Sequence, residues 1–157
     1  MEQVVNDAKA EFTRAKDRLA KALNTTPDDK AGWSPSPTAR TPIEVVAHAA
    51  SGTMGIHAMM TGKMEPVNPA DMDSMSREIE KGFTTKQQAL DHLEKTSGEY
   101  VAWLDTLTAE QVAATVDSPF GSFPVASAIT FPADHLRGHA AQIEYIQTIY
   151  GDRDWHF

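Results

Sequence analysis

A chain of 157 residues with 22 acidic against 14 basic side chains, net charge −8, is long enough for one domain over residues 1–157 that buries roughly two-thirds of its unfolded surface. The acidic balance, without a basic patch or interleaved aromatic and basic residues, argues against nucleic acid as a partner, and the lack of cysteine removes disulfides, thiolate ligands and cysteine nucleophiles. No apolar run approaches a membrane span, and the opening MEQVVNDAKAEFTRAKDRL is charged throughout, so no membrane partner is expected and the cytoplasm is the expected location.

Val5, Ala8, Phe12, Ala15, Leu19 and Leu23 recur at spacings of three or four among charged residues, predicting an amphipathic first helix over residues 2–23. The stretch TTPDDKAGWSPSPTART has three prolines and a glycine and reads as a fixed, irregular crossover, with Trp33 packed over a helix end. Thr41, Pro42 and Glu44 match an N-cap, a proline in the first turn and an acid at the third position, opening a second helix that runs to about Thr61. Residues 62–83, with two prolines and scattered charges, read mainly as loop, with a short helical turn around Met72 to Glu80. A loop of this length often borders a site. Thr85 caps a third helix to about Leu107, with Ala89, Leu93, Thr96, Tyr100 and Leu104 as its inner stripe. Asp105 to Gln111 reads as a turn, and AATVDSPFGSFP as a small hairpin or extended excursion. The last helix reaches about Tyr150 and stops at Gly151. Pro132 leaves two starts open: near Val125 with a bend at the proline, or near Phe131 with Thr130 as cap.

His135 and His139 stand four residues apart near the start of that helix, a spacing that stacks both imidazoles on one face, where they can address a single ion. The pair lacks the internal glutamate of HExxH, so a third ligand has to come from elsewhere. His48 lies among small and branched apolar residues on the second helix; a lone buried histidine is more often hydrogen-bonded than metallated, and in either case needs a partner. His57 follows His48 by nine residues, about half a turn out of phase. His92 sits between Asp91 and Leu93 with Glu94 beyond, on a more exposed flank, and His156 lies past the glycine stop. The selected set is therefore His48, His135 and His139. Three neutral imidazoles suit zinc, nickel or ferrous iron better than magnesium or calcium, and leave room for water or a substrate atom.

The segments WSPSPTARTPIEVVAH, ending at His48, and HLRGHAAQI, beginning at His135, resemble the DinB-like, or YfiT-like, family of metalloenzymes, and the resemblance spans essentially the whole chain. It implies an all-α, antiparallel four-helix bundle with long crossovers, and a metal held by His48, His135 and His139 where the second and fourth helices meet. It also implies a small-molecule substrate and a homodimer. Some family members are transferases using a low-molecular-weight thiol such as mycothiol, bacillithiol or glutathione, and one relative is a thiol-dependent isomerase. The resemblance thus implies a divalent-metal enzyme that activates an external thiol, with a metal-dependent hydrolase or a noncatalytic metal-binding or stress-response protein as alternatives.

Around that site, Glu44 lies one turn before His48 and is a candidate to orient a ligand or water, although helix polarity also accounts for an acid there. Gln142 follows His139 by three residues and is placed to line the same cavity. Arg137 is the candidate for reaching an anionic thiol cofactor, against an ordinary surface role. Asp134, Glu144 and Tyr145 read as surface or packing residues. The methionines at 54, 59, 60, 64, 72 and 75 suit either an adaptable cavity or helix packing. Trp103 and Trp155 read as core or subunit contacts.

Overall fold

Four long helices carry most of the chain: α1 (Glu2–Thr25), α3 (Pro42–Met60), α5 (Lys86–Leu104) and α8 (Phe131–Ile149), with the shorter α2 (Asp28–Ala31), α4 (Met72–Glu80), α6 (Ala109–Ala113) and α7 (Val125–Ala128) between them. A two-stranded antiparallel hairpin, β1 (Thr115–Ser118) and β2 (Gly121–Pro124), completes the elements. The computed structural model describes residues 1–64 and 67–156; residues 65–66, within the expected loop, and residue 157 lie outside the described set. No helix among the described residues is long and apolar enough to cross a membrane.

Helix direction follows from the side-chain pairs that join the helices. Lys9 with Asp105 and Lys16 with Glu94 set α1 antiparallel to α5. Arg18 with Glu144, and Gln147 donating to the Ala22 carbonyl, set α1 parallel to α8. Ser51 with His92, and His57 against Tyr100, set α3 parallel to α5. His48 beside His139, with Gly52 against His135, sets α3 antiparallel to α8. The bundle is the expected one, with antiparallel pairs α1/α5 and α3/α8 and parallel pairs α1/α8 and α3/α5. Because α3 and α5 run the same way, the connection over residues 61–85 must carry the chain back along the bundle, and this is its long second crossover.

The apolar stripes close on one core. Val5, Ala8, Phe12, Ala15, Leu19 and Leu23 of α1 are buried, as are Ala89, Leu93, Thr96, Tyr100 and Leu104 of α5. The Phe12 and Tyr100 rings meet edge to face at 4.8 Å, a preferred aromatic geometry. Buried Tyr100 donates its hydroxyl proton to the Ile129 carbonyl at 2.7 Å. Trp33 packs edge-on against Tyr150 at the end of α8, and Trp103 packs against the core.

Several boundaries differ from the sequence expectation for local reasons. Within the segment read mainly as loop, the short helical turn expected around Met72 to Glu80 is the nine-residue helix α4, entered through a 3-10 turn at Pro69–Asp71 that Asn68 caps by accepting from the Ala70 N–H. Its apolar residues Met72, Met75 and Ile79 recur at helical spacing, but Met75 and Ile79 face solvent and the residue it buries is Glu80. Helix α5 ends at Leu104, three residues early, and part of the expected turn is the start of α6, opened by a Thr108–Gln111 capping box. The excursion is the hairpin alternative. Helix α8 takes the later of its two starts, with α7 a separate turn before it. Thr130 occupies the cap position, but its hydroxyl donates to the Ser127 carbonyl instead of capping. Gly151, at φ +98°, supplies the left-handed residue that stops the helix.

Candidate metal centre

His48 is delivered by a well-anchored helix. Thr41 Oγ1 accepts from the Glu44 N–H, and Glu44 Oε2 accepts from the Thr41 N–H at 2.7 Å, a reciprocal capping box that satisfies two otherwise free donors. Glu44 is thereby committed to the helix start, the reading that helix polarity favoured. From that start α3 projects His48 toward α8, whose first turns carry His135 and His139 on one face. The ring centroids lie 5.5 Å apart for His48 and His135, 4.8 Å for His48 and His139, and 4.4 Å for His135 and His139. One nitrogen from each ring falls within 4.8 Å of the other two, so this cluster can hold a divalent cation.

The second ring nitrogens explain why the rings point as they do. His48 Nδ1 is 2.8 Å from Glu80 Oε1, and since a carboxylate only accepts, the imidazole donates there and keeps Nε2 as its lone-pair atom. His139 Nδ1 pairs in the same way with Gln142 Oε1 at 2.8 Å. Gln142, read as a cavity-lining residue, thus fixes the orientation of the His139 ring. His135 Nε2 is buried and has no hydrogen-bond partner among the described residues, an arrangement that costs about 1–3 kcal/mol unless something occupies the lone pair. Gly52 leaves the room for that ring: a Cβ at this position would collide with His135 Nε2.

Electrostatics favour three neutral rings. Burial pushes His135 down to about 3, and the neighbouring His139 and His48 add to the effect. His48 is lowered by burial and then by Arg40, with Glu80 opposing. His139 is lowered by burial, with Gln142 opposing. Neutral imidazoles are the form that ligates, so the residues present fit a divalent cation on three counts: donor type, an orphaned buried lone pair and two oriented partners.

Glu80 and Arg40, which sequence reasoning did not single out, join the histidine cluster through His48. Glu80 is 2% exposed, and its other oxygen accepts from Arg40 Nε at 2.7 Å. Arg40 also reaches Asp73 at 2.8 Å. No motif spacing connects residue 80 to residue 48; the only signal was an acid at the end of a possible helical turn. The remaining candidates lie outside the cluster. Arg137 pairs with Asp134 and with Glu11 of α1. His57 packs on Trp103, His92 pairs with Ser51, and His156 pairs with Asp152.

A family profile described as the DinB superfamily matches residues 11–143. The chain belongs to the DinB superfamily. Solved structures share the DinB fold at low identity. YfiT from Bacillus subtilis, described as a probable metal-dependent hydrolase with an unusual four-helix bundle topology, superposes with a TM-score of 0.74 at 19% identity, covering 94% of this chain and 87% of that one. DfsB, described as a sibling lethal factor precursor, gives 0.76 at 16% identity, with 94% and 97% covered. The mycothiol-dependent maleylpyruvate isomerase gives 0.71 at 13% identity, with 88% of this chain and 60% of that one covered. No curated protein matches the sequence. At these identities the likeness carries the DinB fold, and the chemistry rests on the side chains of this chain.

Proposed function

We propose that this DinB-superfamily chain is a divalent-metal-dependent enzyme, with zinc, nickel or iron held by His48, His135 and His139, and that it transfers or rearranges a small electrophilic substrate with the help of an external low-molecular-weight thiol. The observation that carries the reading is the convergence of three neutral imidazoles, one ring nitrogen of each lying within 4.8 Å of the other two, with no fourth member of the group among the described residues. A divalent cation there would supply Lewis acidity, lowering the pKa of a thiol or of water brought to its open face. The chain's own residues hold the rings: Glu80 and Gln142 keep the Nδ1 protons of His48 and His139, and Gly52 leaves space for His135. The chain has no cysteine, so any thiol must come from outside, and the thiol-dependent isomerase among the solved structures of the same fold supports this class. A metal-dependent hydrolase is the second reading, favoured by the description of YfiT.

Elemental mass spectrometry on tag-free protein purified without added metal, beside the His48→Ala/His135→Ala/His139→Ala variant, tests the centre. About one equivalent of zinc, nickel or iron in the parent and none in the folded variant is the expected result. Metal absent from the parent even after reconstitution would remove the proposal. Turnover of an electrophile panel with and without glutathione, bacillithiol or mycothiol then separates the readings: thiol-dependent consumption supports transfer, and thiol-independent cleavage supports hydrolysis. A metal-loaded protein inert to both would leave a noncatalytic metal-binding protein.

A further inference from the structure

We infer that Glu80, clamped by Arg40, is the positioning residue that sets the tautomer of His48 and thereby the strength with which the three-histidine cluster holds a cation. The inference rests on the metal reading above for its second half, and on geometry alone for its first.

The carboxylate of Glu80 is divided between two partners on opposite sides. Oε1 lies 2.8 Å from His48 Nδ1, and Oε2 lies 2.7 Å from Arg40 Nε. At 2% exposure it is among the most buried side chains in the protein, and the only acidic one among the described buried residues. A buried carboxylate is costly to desolvate unless paired and hydrogen-bonded. Arg40 meets that requirement, and it is itself held by Asp73, which in turn accepts from Arg77 at 2.8 Å. Arg77 reaches the Thr38 carbonyl at 3.0 Å. The chain of contacts runs from the residues preceding α3, through α4, back to the ring of His48.

The consequence for His48 is directional. An ionised carboxylate offers no proton, so the shared proton resides on Nδ1, and Nε2 remains unprotonated on the side facing His135 and His139. Gln142 plays the corresponding part for His139, but its amide can present either an oxygen or an NH2 group, so it dictates the tautomer less strictly. Of the two orienting groups, the carboxylate is the one that imposes a tautomer. Partners of this type raise ligand basicity, and their removal typically weakens metal binding 10- to 100-fold.

The test reads the tautomer first, without metal. Nitrogen and carbon NMR of His48 in the chelator-treated protein at about pH 8, above the ordinary imidazole pKa of about 6.5, should show the Nδ1–H form in the parent and a weaker preference for it in Glu80→Gln, whose amide can present either an oxygen or an NH2 group. Glu80→Ala should lose that preference. Zinc affinity, measured by competition with a chromophoric chelator, should fall roughly 10- to 100-fold in Glu80→Ala and less in Glu80→Gln. Should Glu80→Ala fail to fold, Glu80→Gln and Arg40→Ala carry the comparison, with zinc affinity reduced in both. An Nε2–H tautomer in the parent, or parent-like zinc affinity in the folded Glu80 variants, overturns the inference. A parent that takes up no zinc sinks the metal reading instead, while the tautomer measurement still decides the role of Glu80.

Discussion

Gly52 is one turn beyond His48 on α3, and a single methyl group there reaches the candidate centre. An added Cβ would overlap the His135 imidazole, which would have to swing away. In a helix interior, alanine is otherwise favoured over glycine by about 1 kcal/mol. Gly52→Ala should therefore lower zinc affinity at least tenfold while leaving the melting temperature of the metal-free protein unchanged or slightly raised. Parent-like zinc titration of this variant would show that His135 does not ligate from its present position. The three histidines were legible in the chain because the HxxxH pair falls on one helical face and His48 sits in an apolar run. Gly52 was not, since its importance appears only once α8 lies across α3. Glu44 shows the converse: its position beside His48 suggested a site role, yet its carboxylate closes the helix cap.

Among the elements, α8 bears two of the three candidate ligands, and its start is pinned from across the bundle by Tyr100 of α5. The buried hydroxyl donates to the carbonyl of Ile129, the residue that follows α7 and precedes the Thr130 cap position of α8. Tyr100→Phe removes that donor with little change of volume and should cost about 1 kcal/mol of stability. The loss should be read as a lowered denaturant midpoint, with faster amide exchange concentrated near residues 129–134. Unchanged exchange there would mean that packing alone fixes the start of α8. The long helices announced themselves through apolar period and caps, as Thr41 and Thr85 illustrate. Helix α4 was legible as a short turn around Met72 to Glu80, but its docking was not, because what draws it onto the bundle is a buried ion pair and a hydrogen bond to an imidazole. Both are pairings with residues remote in sequence, to which a local pattern is blind.

Across the whole molecule, the centre joins α3 to α8, an antiparallel pair already packed through the common core. Because that core contains residues from all four long helices, the metal-free protein should be folded, with the cation as an added staple. At a free zinc concentration of about one hundred times its dissociation constant, stability should rise by about 2.7 kcal/mol, a melting shift of roughly 5–10 °C for a chain of this size. The variant lacking His48, His135 and His139 should show helical circular dichroism and a melting temperature indifferent to zinc. A metal-free parent without helical signal would instead make the ion part of the folding reaction itself. The same placement of ligands orders events in time. His48 belongs to the second long helix and its two companions to the fourth, so a chain emerging from synthesis presents one lone imidazole until α8 has been made and has docked. On the proposed ligand set, loading with metal would be a late step, after long-range assembly, and a partly made chain would have little means of capturing the ion prematurely.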